Sequence, residues 1–298
     1  MLSKVEQKID EIVTNLHHKE IKELLTKLPK GKRLRAKLIL YIAGENEESI
    51  KLASIVEMIH AASLLHDDVI DDAMQRRGVD SINAIYGNKN AIMLGDILYS
   101  IGFFELVAMG PDIAKSVSNA VVQLSVGELD DVYLSKKFNT DASIYRDMIY
   151  KKTASLMEAS AYSAAALAGK NPNAYARYGK NLGIAFQMID DMLDITSDAQ
   201  TLGKPALHDF VEGKTTLPYI YLYEKLDTSE KQKLASMHCR ALDKAEQEWI
   251  VSNIKKYDII EKCYLEAKEL VLEALAAIKS EKNQKLDSIA KEMIDRSF

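Results

Sequence analysis

The sequence predicts an all-α fold, a single-domain bundle of about ten or more helices. Three observations carry this. The chain has 13 glycines and 5 prolines in 298 residues, about half the usual share, too few for the many tight turns of an all-β protein. Hydrophobic residues make up 47% and charged residues 28%, an ordinary globular balance that excludes a disordered or collagen-like chain. Apolar residues recur at helical spacing: Leu52, Ile55, Val56 and Ile59 form one stripe, and Ile184, Met188, Met192 and Ile195 repeat it.

The breaks between helices follow from turn-forming residues. They fall at LPKGK (28–32), GENEE (44–48), RRGVD (76–80), YGNKN (86–90), MGPD (109–112), FNTDA (138–142), GKNPN (169–173) and KLDTSE (225–230). His17 and His18 read as solvated positions on a charged first helix. The connections are short, as in helical bundles. One is not. Residues 197–213, SDAQTLGKPALHDFVEG, carry no convincing helical stripe but hold Lys204 and Asp209, with Lys214 next in line. Structureless connections of this length in compact domains are usually functional or disordered. With no repeat of solenoid period and no low-complexity linker, one domain over residues 1–298 is expected.

The formal net charge is −5, so no general basic surface invites nucleic acid. Two cysteines, Cys239 and Cys263, make no disulfide framework and no metal-ligand spacing, which points to a reducing cytoplasm. The first residues lack the apolar core of a signal peptide. The apolar stretches ILYSIGFFELVAM and ASAYSAAALAG fall short of the roughly 20 apolar residues of a membrane span.

Chemistry concentrates in two segments, HDDVIDDAMQRRG (66–78) and QMIDDMLDITSD (187–198). Each holds DDxxD: Asp67, Asp68 and Asp71 in the first, Asp190, Asp191 and Asp194 in the second. With 22 aspartates in 298 residues, one such motif arises by chance in about one chain in ten, and two copies far more rarely. On a helix Asp67 and Asp71 share a face, with His60 two turns earlier, and Gln187, Asp190 and Asp194 share another. A solvated helix face or a cap cluster would explain one motif alone. Two carboxylate clusters in apolar surroundings repel unless a cation joins them. Oxygen-only ligands favour a hard ion, Mg²⁺ above all, completed by substrate phosphate. Basic residues supply the complement: Lys32, Arg33 and Arg35 in GKRLR, Arg76 and Arg77, Lys151 and Lys152 before Thr153, and Lys204 and Lys214. Each cluster could be plain ion pairing; together with the aspartates they suit a diphosphate.

The segments GKRLR, EMIHAASLLHDDVIDDAMQRRG, LGDILYS, KKTA, FQMIDDMLD and GKP…EGKTTLP, in this order, resemble the trans-prenyltransferases, the polyprenyl diphosphate synthase family, over most of the chain. The resemblance implies the all-α isoprenoid synthase fold around a central cavity, a homodimer, and Mg²⁺, three ions per site when substrate is bound. It implies Asp67, Asp71 and Asp190 as principal metal ligands, supported by Asp68, Asp191 and Asp194. Arg76, Lys152, Thr153, Gln187, Lys204 and Lys214 would hold an allylic diphosphate; Lys32, Arg35, His60 and Arg77 would hold isopentenyl diphosphate. Asp67, Asp71, Lys152 and Lys204 would stand nearest the chemistry. Family members stop chain growth with bulky residues four and five positions before the first aspartate. Here these are Ser63 and Ala62, both small, so a product of hexaprenyl to octaprenyl length for a quinone side chain is expected, with Phe103 and Phe104 as a deeper floor or as ordinary core. Three positions depart from the family pattern: Lys30, Ala36 and Leu207, the last replacing a glycine within GKPALHD. A leucine there would be strained if the turn needs a positive φ.

Four other readings use the same residues. A terpene cyclase shares DDxxD on a helical fold but has no use for GKRLR with His60. A di-iron bundle is suggested by Glu57-x-x-His60 but needs a second such motif. A non-catalytic subunit of a heteromeric synthase would have no need to keep both aspartate motifs intact, which argues against it, and a synthase ending at geranylgeranyl diphosphate is the shorter-chain alternative.

Overall fold

The computed structural model describes residues 1–196 and 207–294, helical almost throughout. In chain order the helices are α1 (Leu2–Thr14), α2 (Lys19–Lys27), α3 (Leu34–Ala43), α4 (Glu47–Ile70), α5 (Ile82–Tyr86), α6 (Asn88–Leu106), α7 (Pro111–Leu134), α8 (Ala142–Ile149), α9 (Ser155–Leu167) and α10 (Pro172–Thr196). After the undescribed residues come α11 (His208–Val211), α12 (Leu217–Lys225), α13 (Thr228–Ser236), α14 (Lys244–Lys256), α15 (Ile259–Ala277) and α16 (Gln284–Ile294). A π-helical turn, Tyr150–Ala154, joins α8 to α9. The chain packs as two compact units, Met1–Val122 with Leu156–Gly179, and Gln123–Ser155 with Lys180–Phe298. Each unit draws on separate stretches of sequence, so no linker announces them.

The first unit is built on α4. Its start is fixed by a reciprocal cap: the Ser49 amide donates to Asn46 Oδ1 at 2.9 Å and the Asn46 amide to Ser49 Oγ at 3.0 Å. From Leu52 to Ile59 nearly every side chain is buried, so this stretch is core on all sides rather than a single stripe. Helix α6 lies along it, tied by Lys51 to Glu105 at 2.8 Å. Gly95 permits this approach, since a Cβ there would stand 2.3 Å from His66 Nε2. That contact fixes the turn of α4 that carries Asp67.

In the second unit Tyr145, Phe210, Tyr219, Leu222, Ile250 and Ile259 are core residues. Helix α7 comes so close to the π-helical turn that a Cβ on Gly127 would lie 2.5 Å from the Lys152 amide nitrogen. Any other residue would push the two lysines of that turn away.

The expected breaks appear, with additions. RRGVD folds as a small hairpin, β1 (Gln75–Arg76) against β2 (Val79–Asp80). Its two turn residues, Arg77 at φ 55° and Gly78 at φ 76°, take the left-handed values a two-residue hairpin needs. His17, at φ 52°, and His18 lie in the turn between α1 and α2 and not on a helix. Further breaks at 237–243, 257–258 and 278–283 lack glycine or proline and were not legible as such. One stretch, Asn88–Met109, is long and apolar enough to cross a membrane by length and composition, which corrects the shorter span read from the sequence. Its buried residues, including Leu94, Leu98, Ile101 and Leu106, are part of the core.

Candidate active site

In the first unit the aspartates of α4 divide by environment. Asp68 is buried, 4% exposed, while Asp67 is half-buried and Asp71, the residue that ends the helix, is exposed. Arg76 leaves the hairpin and lies across the pair: its Nε donates to Asp68 Oδ1 at 2.6 Å and Nη2 to Asp67 Oδ2 at 3.0 Å. Burial raises the Asp68 pKa, opposed by the Arg76 charge.

Around His60 the unit gathers cations. Arg35 Nε is buried and finds no hydrogen-bond partner among the described residues. Burial lowers its pKa, with Glu57 opposing and Arg77 adding to the effect. Arg77 packs against Gly31, where a Cβ would lie 2.5 Å from Nη1, and donates to the Pro29 carbonyl at 3.3 Å. His60 is held neutral well below the ordinary histidine range, first by burial and then by Arg35, Arg77, Arg76 and Arg33. Lys32 is exposed beside them. This concentration of positive charge around an orphaned guanidinium nitrogen calls for an anion.

One acid organises these cations and was missed as such in the sequence. Glu57 is 2% exposed; its Oε1 accepts the Ala36 amide at 2.9 Å and its Oε2 accepts Arg33 Nη1 at 3.1 Å, while Arg33 Nε reaches Glu6 at 2.7 Å. It caps α3 and anchors a left-handed Arg33 at φ 51°. Both its oxygens are committed, which leaves nothing for the di-iron reading.

In the second unit the DDxxD of α10 lies deeper: Asp190 is half-buried, and Asp191 and Asp194 are both buried. Asp191 accepts Gln187 Nε2 at 2.8 Å and Tyr145 Oη at 2.5 Å, and Thr153 Oγ1 donates to Gln187 Oε1 at 2.8 Å. Burial, then the Asp209 charge, raises the Asp191 pKa to about 8. Asp194 accepts the Asp209 amide on its carboxylate at 3.2 Å and the Leu207 amide on its carbonyl at 3.0 Å. Leu207 itself is left-handed, φ 62°, and buried, the strained conformation expected where a glycine is replaced.

Lys152 meets Asp131 at 2.6 Å and Glu128 at 3.0 Å, and Lys151 meets Asp130 and Asp147. The acids of VGELDD on α7 thus hold the basic pair of the π-helical turn; the cluster is visible in the sequence but lacks DDxxD spacing. Lys214 Nζ sits 3.0 Å from Glu212 and lines a small cavity with Asp131, Tyr145 and Thr216. Lys204 lies outside the described residues.

Among the described residues no three His, Cys, Asp or Glu side chains already converge on one point. Mg²⁺ bound by one or two carboxylates and completed by phosphate oxygens needs no such cage, so the oxygen-only set fits that ion. Of the small residues before the first motif, Ala62 is fully buried and Ser63 donates to the His60 carbonyl at 2.8 Å. Phe103 stacks on Tyr99, which in turn meets His66, whereas Phe104 is 76% exposed.

Comparison with known proteins shows the family and the fold. Residues 18–254 match the polyprenyl synthetase family model. Octaprenyl pyrophosphate synthase from Helicobacter pylori superposes with a TM-score of 0.94 at 46% identity, over 99% of this chain and 98% of that one. A decaprenyl diphosphate synthase from Rhodobacter capsulatus gives 0.92 at 29% identity, over 100% and 96%. The octaprenyl diphosphate synthase of Haemophilus influenzae is 32% identical over 90% of this chain and 85% of its own length. Rice solanesyl-diphosphate synthase 1 is 44% identical, but the match covers 58% of this chain and only 41% of that enzyme. With the isoprenoid synthase fold and the family's sequence both present, the chain belongs to the polyprenyl synthetase family of prenyltransferases.

Proposed function

We propose that the protein elongates an allylic diphosphate, farnesyl diphosphate in particular, with isopentenyl diphosphate to an all-trans product of hexaprenyl to octaprenyl length. The observation that carries this reading is the cationic cluster of the first unit, in which buried Arg35 Nε has no hydrogen-bond partner among the described residues; the presence of a DDxxD helix in each unit supports it. Lys32, Arg35, His60 and Arg77 bind isopentenyl diphosphate; neutral His60 can hydrogen-bond without adding charge. Asp67, Asp71 and Asp190 hold Mg²⁺, with Asp68, Asp191 and Asp194 in support, and Arg76, Lys152, Thr153, Gln187, Lys204 and Lys214 bind the allylic diphosphate. When bound, Mg²⁺ neutralises charge on the departing diphosphate.

The cations stabilise that leaving group as the allylic C–O bond breaks. The double bond of isopentenyl diphosphate supplies the electron pair of the new C–C bond. The proton lost in restoring a double bond goes to the released diphosphate, so no side chain need act as base. Apolar α4 and α6 keep water from the cation.

Small Ala62 and Ser63 support a long product, as do the octaprenyl and decaprenyl relatives. A geranylgeranyl product is the second reading, favoured by the Tyr99–Phe103 stack at 6.2 Å. The outer face of α6, with Ile92, Met93 and Phe104 exposed along it, and Val107, 78% exposed in the turn that follows, supports a homodimer. A cytoplasmic enzyme would then deliver its apolar product to a membrane for a quinone side chain.

The test is incubation with Mg²⁺, farnesyl diphosphate and labelled isopentenyl diphosphate, followed by sizing of the products. A ladder ending at hexaprenyl to octaprenyl is expected. Termination at geranylgeranyl overturns the chain length alone, and no Mg²⁺-dependent incorporation overturns the activity.

A further inference from the structure

We infer that Tyr145 is a positioning residue of the second aspartate motif, fixing Asp191 and, through Gln187, the hydroxyl of Thr153. This rests on the function proposed above and deepens it. Tyr145 is 1% exposed on α8. Its hydroxyl reaches one oxygen of Asp191 at 2.5 Å, while Gln187 Nε2 takes the other at 2.8 Å. Gln187 cannot flip its amide without breaking a second bond, because its Oε1 accepts Thr153 Oγ1 at 2.8 Å. Four side chains from α8, the π-helical turn and α10 therefore form one chain in which every donor and acceptor role is assigned.

The register of the π-helical turn, Tyr150–Ala154, is part of the device. Isolated π turns inside helices concentrate at functional sites. Here the turn carries Lys152 to the acids of α7 and Thr153 to Gln187 on α10. Tyr145 also borders the cavity that Lys214 and Asp131 line, where Thr216 Oγ1 is buried without a partner among the described residues. A phenol placed only to fill the core would need no hydroxyl. This one ends on the motif aspartate whose oxygens both point into protein, so Asp191 serves as an anchor for its neighbours on α10.

The experiment compares wild type, Tyr145→Phe, Asp191→Asn and the double variant, with separate KM values for the two diphosphates, Mg²⁺ half-saturation and thermal unfolding. Tyr145→Phe keeps the ring and its packing. We expect the allylic KM and the Mg²⁺ half-saturation to rise about tenfold, the loss of one hydrogen bond at a binding site. The KM for isopentenyl diphosphate stays within about twofold, which a general loosening of the fold would not spare. The double variant is expected to be no worse than Asp191→Asn, because Tyr145 acts through that residue. Should Tyr145→Phe fail to fold, Asp191→Asn must show the same one-substrate signature. Unchanged allylic KM and Mg²⁺ dependence, an equal rise for both substrates, or fully additive effects in the double variant would each overturn the inference. A wild-type protein without Mg²⁺-dependent incorporation would instead overturn the function on which it rests.

Discussion

Arg76 holds Asp68 at 2.6 Å and reaches Asp67 at 3.0 Å with its second arm, so one guanidinium ties together the first two aspartates of the first motif. Asp68 is buried and depends on that partner. Arg76→Met should leave an uncompensated carboxylate and cost about 1–3 kcal/mol at neutral pH. The sign with pH follows: burial already raises the folded pKa of Asp68 and losing the arginine raises it further, so the penalty is full while that carboxyl is ionised and fades as pH falls through its raised folded pKa. Thermal unfolding of both proteins at pH 8 and pH 4.5 checks this; a penalty that does not shrink at the lower pH counts against it.

His60 gives the opposite pH dependence. Burial and four arginines depress its folded pKa well below the ordinary value, so only the unfolded chain takes a proton near neutrality. Its contribution is fully present above about pH 6.5 and is lost as pH falls below that, by about 1.4 kcal/mol per unit. His60→Gln removes this dependence. Denaturant melts of wild type and variant at pH 7.5 and 5.5 should therefore converge toward the lower pH, and isopentenyl diphosphate, by placing an anion among the arginines, should restore part of the loss.

Much of this was legible in the sequence, for identifiable reasons. The DDxxD spacing is local, so Asp67 and Asp71 on α4 and Asp190 and Asp194 on α10 could be paired from helical geometry alone. Glycine and proline marked the breaks they cause. What escaped depends on contacts between residues far apart in the chain. Glu57 looked like half of an ExxH motif because nothing in its neighbourhood announces Arg33 or the Ala36 amide. Tyr145 is one of 14 tyrosines, and its partner lies 46 residues away. That Phe104 is 76% exposed could not be read either, because an apolar residue on an apolar helix carries no sign of which face is exposed.

Leu207 tests backbone strain directly. It is fully packed yet left-handed at φ 62°, where a Cβ costs roughly 1–2 kcal/mol. Substitution to alanine and to glycine removes nearly the same buried side chain, so both variants lose stability. Glycine should nonetheless be the more stable of the two by about 1 kcal/mol, reversing the usual order within regular structure. Paired urea denaturation decides it, and alanine equal to or above glycine would mean the turn carries no strain.

Glu57 offers the sharpest separation of the two substrates. Its carboxylate caps α3 through the Ala36 amide and holds Arg33, setting the segment from which Lys32 and Arg35 project. Glu57→Gln keeps the shape and one acceptor but removes the charge that balances Arg33 and Arg35. A stability loss of about 1–3 kcal/mol is expected. On the proposed function, the KM for isopentenyl diphosphate should rise about tenfold, with the allylic KM unchanged, because the second-motif network does not involve this residue. That is the mirror image of the signature expected for Tyr145→Phe. Steady-state kinetics with each substrate varied in turn separates them: if both substitutions raise the same KM, the division of the two diphosphates between these groups of residues is wrong.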